Sequence, residues 1–325
     1  MISLGIESTA HTFGVGIITD KGKILGENKT VYIPPTGTGI HPREAAKNHI
    51  ERGPEILKKT LEESKIELKD IDIISFSQGP GLPNCLQVGA SIARFLSQKY
   101  NKPLIGVNHC IAHIEIGKIL TECKDPVIVY CSGGNTQIIA YVEKKYRIFG
   151  ETEDIAIGNA LDVLARSMGF EMPGGANIEE TANGGKWIEL PYVVKGMDLS
   201  FTGIVTECIK KYKGGINKAD ISFSFQETVY SMLTEVTERA LAHTGKDEVL
   251  ITGGVAASKR LDKMMKEMCN GREAKSYTVP KKYAGDNGTM IAWNGILDTK
   301  QKRKLNESKI MKNWRTDEVE INWLK

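Results

Sequence analysis

Val127-Ile128-Val129-Tyr130-Cys131-Ser132-Gly133-Gly134-Asn135-Thr136-Gln137-Ile138-Ile139 is an apolar run, a glycine-bearing turn and a second apolar run. Two such runs joined by a short turn predict a β-hairpin. A third strand follows at Tyr146 to Gly150. The same order opens the chain, where Ile2 to Glu7, Phe13 to Thr19 and Ile24 to Tyr32 predict three strands. Their first turn is Glu7-Ser8-Thr9-Ala10, which has a carboxylate and hydroxyls in place of the glycine pair.

Outward from the two hairpins, each half alternates helix and strand. In the first half, a helix from Pro42 to Glu63 starts on Pro-Arg-Glu, as helices favour. A strand at Ile71 to Ser77, a helix at Cys85 to Lys99, a strand at Pro103 to Val107 and a helix carrying His109 and His113 complete it. The second half has a strand at Val249 to Thr252, a helix at Ser258 to Cys269, a strand at Ser276 to Val279 and a helix at Asn287 to Asp298. Parallel strands joined by crossover helices, duplicated in one chain, predict the α/β two-lobed actin-like ATPase fold of actin, Hsp70 and the sugar kinases. Its duplicated ribonuclease H-like units would place nucleotide and metal between the lobes. The expected lobes are residues 1–122 and 123–325, the second with a helical insertion at about 151–247.

Composition narrows the class. The 325 residues are 41% apolar and 26% charged with a net charge of +3, values of an ordinary globular protein. No apolar stretch reaches the roughly 20 residues that span a bilayer, and no signal peptide precedes the first strand, so a cytoplasmic location is expected. The six cysteines show no Cys-x-x-Cys spacing, which argues against a thiolate zinc site and a secreted disulfide framework. The basic run Lys300-Gln301-Lys302-Arg303-Lys304 reads as a solvated helix end rather than a nucleic-acid site.

Four motifs carry chemistry. Adjacent glycines at Gly133-Gly134 let a backbone approach a phosphate and turn amide N–H groups toward it, although tight turns need glycine anyway. Thr252-Gly253-Gly254-Val255-Ala256-Ala257-Ser258 runs from strand into helix, a place for a ribose and adenine and equally a plain turn. His109 and His113 stand four apart on one helical face, a spacing that suits a shared metal and also suits two surface histidines. Cys110 follows His109 where a zincin protease carries its glutamate, which counts against peptide hydrolysis. Asp286, before the last helix, is either a hard ligand completing a two-histidine site or a helix cap.

Together with Gln78-Gly79-Pro80-Gly81-Leu82, Gly106-Val107-Asn108 and Lys195-Gly196-Met197-Asp198, these motifs occur in the order of a known family. The chain closely resembles the universal tRNA threonylcarbamoyltransferases, once described as O-sialoglycoprotein endopeptidases, over nearly its whole length. Asn135 and Tyr130 look like the archaeal and eukaryotic branch, whose members work in the KEOPS complex. The resemblance implies transfer of a threonylcarbamoyl group from L-threonylcarbamoyl-adenylate to the exocyclic amine of the adenine following the anticodon. The tRNAs concerned read codons that begin with A, and AMP leaves. It implies one divalent metal ion per chain, iron or zinc, held by His109, His113, Tyr130 and Asp286. Nucleotide and acyl group would lie on Tyr130, Cys131, Ser132, Gly133, Gly134, Asp162, Gly175, Glu179, Gly254 and Ser258. Implied partners are tRNA, ATP- or AMP-like nucleotides and KEOPS-type subunits including a small protein kinase, with no membrane. Ser258-Lys259 departs from the family's asparagine pair, Gln87 from its arginine and Thr202 from its serine. Neither motif nor resemblance identifies a general base. An actin-like ATPase or kinase, a metalloprotease and a non-catalytic nucleotide-binding scaffold remain the competing classes.

Overall fold

The computed structural model describes residues 1–35, 38–299 and 309–324, so the basic run at 300–304 lies outside the described residues. The chain forms two compact units. Unit 1 comprises Met1–Ile119, Glu143–Tyr146 and the described residues from Asp286 onward, and unit 2 comprises Leu120–Val142 and Arg147–Gly285.

Unit 1 is a five-stranded sheet in the order β3-β2-β1-β4-β5, built from β1 (Ile2–Glu7), β2 (Thr12–Thr19), β3 (Ile24–Val31), β4 (Ile73–Gly79) and β5 (Leu104–Asn108). β1 pairs antiparallel with β2 and parallel with β4, and β4 pairs parallel with β5. The crossovers are α1 (Pro42–Ser64) and α2 (Pro83–Tyr100), and α3 (His109–Thr121) follows β5 directly. Leu4, Ile6, Phe13, Val15, Ile17, Ile74 and Phe76 are buried in one core. At about 1.5–3 kcal/mol for each large buried side chain, this cluster is the main cohesive term of the unit.

Unit 2 repeats the plan. Its sheet runs β12-β11-β6-β7-β8, from β6 (Val127–Cys131), β7 (Thr136–Val142), β8 (Lys145–Glu151), β11 (Glu248–Thr252) and β12 (Lys275–Thr278). β6 and β7 are antiparallel, whereas β11 is parallel to both β6 and β12. Strand for strand, this is the order of the first sheet. Between β8 and β11 lie α4 (Ile157–Ser167), α5 (Gly174–Thr181), α6 (Thr202–Lys213) and α7 (Lys218–Thr244), with the small hairpin β9 (Val194–Lys195) and β10 (Asp198–Leu199). These elements span residues 157–244. α8 (Lys259–Gly271) crosses from β11 to β12, and α9 (Lys281–Ala284) follows.

The boundary differs from the expected division at residue 122, because α10 (Gly288–Thr299) belongs to unit 1. This helix is buried on every side and packs on β1, β2 and β4. Glycine makes the approach possible: a Cβ on Gly16 would sit 2.2 Å from the Thr289 amide nitrogen, and one on Gly5 2.2 Å from that of Ala292. The short piece Glu143–Tyr146 joins unit 1 through one side chain and one backbone pairing. The buried Tyr146 hydroxyl donates to Glu115 at 2.6 Å, and the Lys145 backbone adds an isolated antiparallel β-bridge to Glu320. Among the described residues, no helix is long and apolar enough to cross a membrane.

Candidate functional site

In unit 1 the site begins at the carboxyl end of β5. Asn108 caps α3, its Oδ1 accepting from the Cys110 amide at 2.9 Å and the Ile111 amide at 3.2 Å. The cap fixes the helix start, and so places His109 and His113 one turn apart on one face. Their rings meet edge to face with centroids 4.7 Å apart. α10 starts in the same way: Asn287 Oδ1 accepts from the Met290 amide at 2.9 Å. The cap is therefore Asn287. Asp286, freed from that task, turns its carboxylate to the histidines.

Asp286 Oδ1 lies 3.3 Å from His113 Nε2 and 3.6 Å from His109 Nε2. One ligand atom from each of the three residues falls within 4.8 Å of the others. Two nitrogens and an oxygen bound to one cation at about 2.1 Å would stand roughly 3.4 Å apart in a tetrahedral arrangement, so the donor set fits a divalent ion. Electrostatics separate the three groups. Burial alone would lower His109, but the Glu7 and Asp286 carboxylates raise it to about 9. Burial and the neighbouring His109 lower His113. Burial would raise Asp286, yet the two imidazoles hold it well below the usual carboxylate range.

Glu7 is the functional candidate that motif reading missed. It ends β1, is fully buried, and its Oε2 stands 3.0 Å from His109 Nδ1. Its other oxygen accepts from the Thr9 amide and the Thr9 hydroxyl, both at 2.6 Å. The available signal was an acid closing a mostly apolar strand, a position where an unpaired carboxylate is costly.

Asp286 was expected from the second lobe. The structure instead assembles the whole triad within unit 1, because α10 packs on that unit's sheet. Tyr130, the fourth expected ligand, is fully buried on β6 of unit 2.

Unit 2 gathers the residues expected at the nucleotide. In the turn from β6 to β7, the Ser132 amide donates to Asn135 O at 2.8 Å. The Gly134 and Asn135 amides donate to Ser132 Oγ at 3.3 and 3.0 Å, so two of the N–H groups expected to face a phosphate are engaged within the turn. Gly133 and Gly134 are exposed, and a Cβ on either would meet nothing within 4 Å. The amino end of α4 abuts this turn, with Gly158 N donating to Ser132 O at 3.2 Å and Ile157 N to Thr136 Oγ1 at 2.8 Å. Such a helix terminus favours an anion. Cys131 is fully buried, and burial pushes its thiol up to about 12.

Asp162 on α4 accepts from the Gly174 amide at 3.0 Å and thereby ties down the start of α5, which carries Gly175 and Glu179. Glu179 accepts from the Lys259 amide at 3.0 Å, which brings α5 to the turn after β11. In that turn Gly253, at φ 91°, lies so close to β6 that a Cβ would be 2.3 Å from Cys131 O. Gly254 beside it faces open space, and Ser258 Oγ caps α8 by accepting from the Leu261 amide at 3.2 Å. Hydrogen bonds and close approach therefore join the β6–β7 turn, α4, α5 and the Gly253–Ser258 turn into one surface of unit 2.

Among solved structures, HypF of T. kodakarensis aligns with 92% of this chain and 48% of its own at a TM-score of 0.63 and 15% identity. The (R)-2-hydroxyglutaryl-CoA dehydratase component A of Acidaminococcus fermentans aligns with 93% of this chain and all of its own, at a TM-score of 0.58 and 14% identity. These likenesses show the actin-like ATPase fold. In sequence, the chain is 53% identical over 327 residues to the tRNA N6-adenosine threonylcarbamoyltransferase of Thermococcus sibiricus, covering 99% of this chain and 100% of that one. The Archaeoglobus fulgidus protein of the same name is 52% identical, with 99% of this chain and 100% of that one covered. A probable bifunctional tRNA threonylcarbamoyladenosine biosynthesis protein of Methanocaldococcus jannaschii is 54% identical over all of this chain, which spans 61% of that protein's length. The profile of TsaD, tRNA N6-adenosine threonylcarbamoyltransferase, matches residues 23–293. The chain belongs to the tRNA N6-adenosine threonylcarbamoyltransferase family.

Proposed function

We propose that this chain transfers a threonylcarbamoyl group from L-threonylcarbamoyl-adenylate to N6 of the adenine following the anticodon, in tRNAs that read codons beginning with A. The observation that carries the reading is the convergence of His109, His113 and Asp286 in a chain related along its whole length to transferases of that name. The triad is the proposed holder of one divalent ion, iron or zinc. Such an ion supplies Lewis acidity to a phosphate or carbonyl oxygen.

The remaining chemistry needs little from side chains. A mixed carbamic–phosphoric anhydride is already activated, so the adenine amine attacks the carbonyl carbon directly. The carbonyl–oxygen bond to phosphate breaks, AMP leaves with the electron pair, and the amine gives up a proton. Cys131 is unsuited to a covalent intermediate, because a thiol pushed up to about 12 is not a thiolate at neutral pH. The proposed nucleotide residues are Tyr130, Cys131, Ser132, Gly133, Gly134, Asp162, Gly175, Glu179, Gly254 and Ser258. Their part is positioning, which a bimolecular step of this kind rewards heavily. An anticodon loop presents its adenine unpaired, so no duplex has to open. Partner subunits of the KEOPS type, including a small protein kinase, and a cytoplasmic setting complete the proposal. The longer relative named bifunctional agrees with a second activity at hand.

The test combines the purified chain with a threonylcarbamoyl-adenylate synthetase, threonine, bicarbonate, ATP and tRNA, with and without partner subunits. Mass spectrometry of the nucleosides reads the product. Threonylcarbamoyladenosine should form, and the rate should fall about a thousandfold in His109→Ala or Asp286→Ala, several kcal/mol of lost charge stabilisation. ATP turnover without tRNA, and no modified adenosine with any partner set, would replace the reading with an ATPase.

A further inference from the structure

We infer that Glu7 is a positioning residue for the metal centre, setting the orientation and proton position of His109 so that Nε2 is the nitrogen presented to the ion. The inference deepens the proposed metal reading and rests on it.

The geometry is specific at both ends of the carboxylate. Oε2 is 3.0 Å from His109 Nδ1. A carboxylate only accepts, so Nδ1 carries the hydrogen and Nε2, the nitrogen 3.6 Å from Asp286 Oδ1, is left as the ligand. The carboxylate is itself held. Oε1 takes two hydrogen bonds of 2.6 Å from Thr9, one from the amide and one from the hydroxyl. The same hydroxyl stands 3.4 Å from His109 Nδ1, so Thr9 closes the arrangement from the side. Glu7 is fully buried at the end of β1, and the next residue is fastened to the sheet by Ser8 N donating to Ser77 Oγ at 2.9 Å. A buried acid with both oxygens engaged has one rotamer available. A histidine bonded to it has one ring orientation.

Only a carboxylate meets both demands here. A glutamine of the same length offers one acceptor oxygen where two are needed. It can satisfy either the Thr9 amide or His109 Nδ1–H and must turn an N–H toward the other. It also removes the negative charge that makes the imidazole a better donor to a cation. Outer partners of this kind change metal affinity by about 10–100-fold when lost.

The experiment uses the purified 325-residue chain stripped of metal. Zinc affinity is measured by competition with a chromophoric chelator, and the ligand-field spectrum of the cobalt(II) form is recorded. Wild type, Glu7→Gln, Thr9→Val and His109→Ala are compared. Glu7→Gln should bind zinc about 10–100-fold more weakly and shift the cobalt bands, a change that a purely structural role would not produce. Thr9→Val keeps the amide and loses only the hydroxyl, and should lose about fivefold, the worth of one hydrogen bond. It carries the test if Glu7→Gln fails to fold. If the affinity and spectrum of the variants match wild type while His109→Ala weakens binding, the Glu7 inference is overturned and the metal reading stands. If His109→Ala also binds as wild type does, the metal reading falls and takes this inference with it.

Discussion

The two units contain the same hairpin built to opposite ends. In unit 1, the turn after β1 is filled with side chains: Glu7 and Ser8 are fully buried, Thr9 nearly so, and every polar atom of the Glu7 carboxylate is spoken for. In unit 2, the turn after β6 is nearly bare. Gly133 and Gly134 are exposed, and a Cβ on either would touch nothing. One hairpin presents a held carboxylate to His109, and the other presents exposed backbone. On the reading proposed above, the duplicated scaffold divides two tasks, orientation of a metal ligand and accommodation of a nucleotide, through three or four residues at one turn.

That contrast can be broken most severely at Gly16. The residue is in β2 with the Thr289 amide 2.2 Å from a would-be Cβ, so Gly16→Ala must push α10 and Asp286 away from the sheet. A loss of about 3 kcal/mol in urea unfolding is expected, the upper range for overpacking, together with weaker metal binding. Unchanged stability would mean that α10 is not seated as described. The opposite result is expected at Gly134. Gly134→Ala should alter stability by less than about 0.5 kcal/mol, as open surface positions do. It should weaken AMP binding about tenfold, since the methyl occupies the proposed ligand's space. Calorimetric titration with AMP decides this, and wild-type affinity would move the nucleotide away from the turn.

Ser258 sharpens the picture in unit 2. Its hydroxyl caps α8, so Ser258→Ala should cost about 1 kcal/mol in thermal or urea unfolding, whatever its share in nucleotide binding. The smallest effect concerns His49, whose Nε2 is 2.9 Å from Ala10 O and so buttresses the filled hairpin from α1. Burial lowers its pKa below the ordinary 6.5. The unfolded chain then binds more protons, so this histidine's contribution is present above pH 6.5 and is lost as the pH falls below it. Urea midpoints at pH 7 and pH 5 should fall further apart in wild type than in His49→Gln.

Much of this was legible along the chain. The strand and helix order, the repetition and the insertion follow from runs of Ile and Val, from Pro42 and from glycine turns, whose signals span only a few residues. The spacing of His109 and His113 was equally plain. Asp286 was not, since an acid before a helix serves as well for a cap. Only the structure shows Asn287 taking that role. The phosphate-facing amides illustrate the converse, because Ser132 Oγ engages two of them, and a hydroxyl's rotamer is not written in a motif.

By itself, then, the sequence determined which elements form, where the turns fall and which family the chain resembles, because those depend on local propensity and ordered motifs. Tertiary packing decided that residues 7, 109, 113 and 286 meet. Their meeting depends on α10 seating against Gly5 and Gly16, a contact between segments more than 270 residues apart that no local pattern encodes.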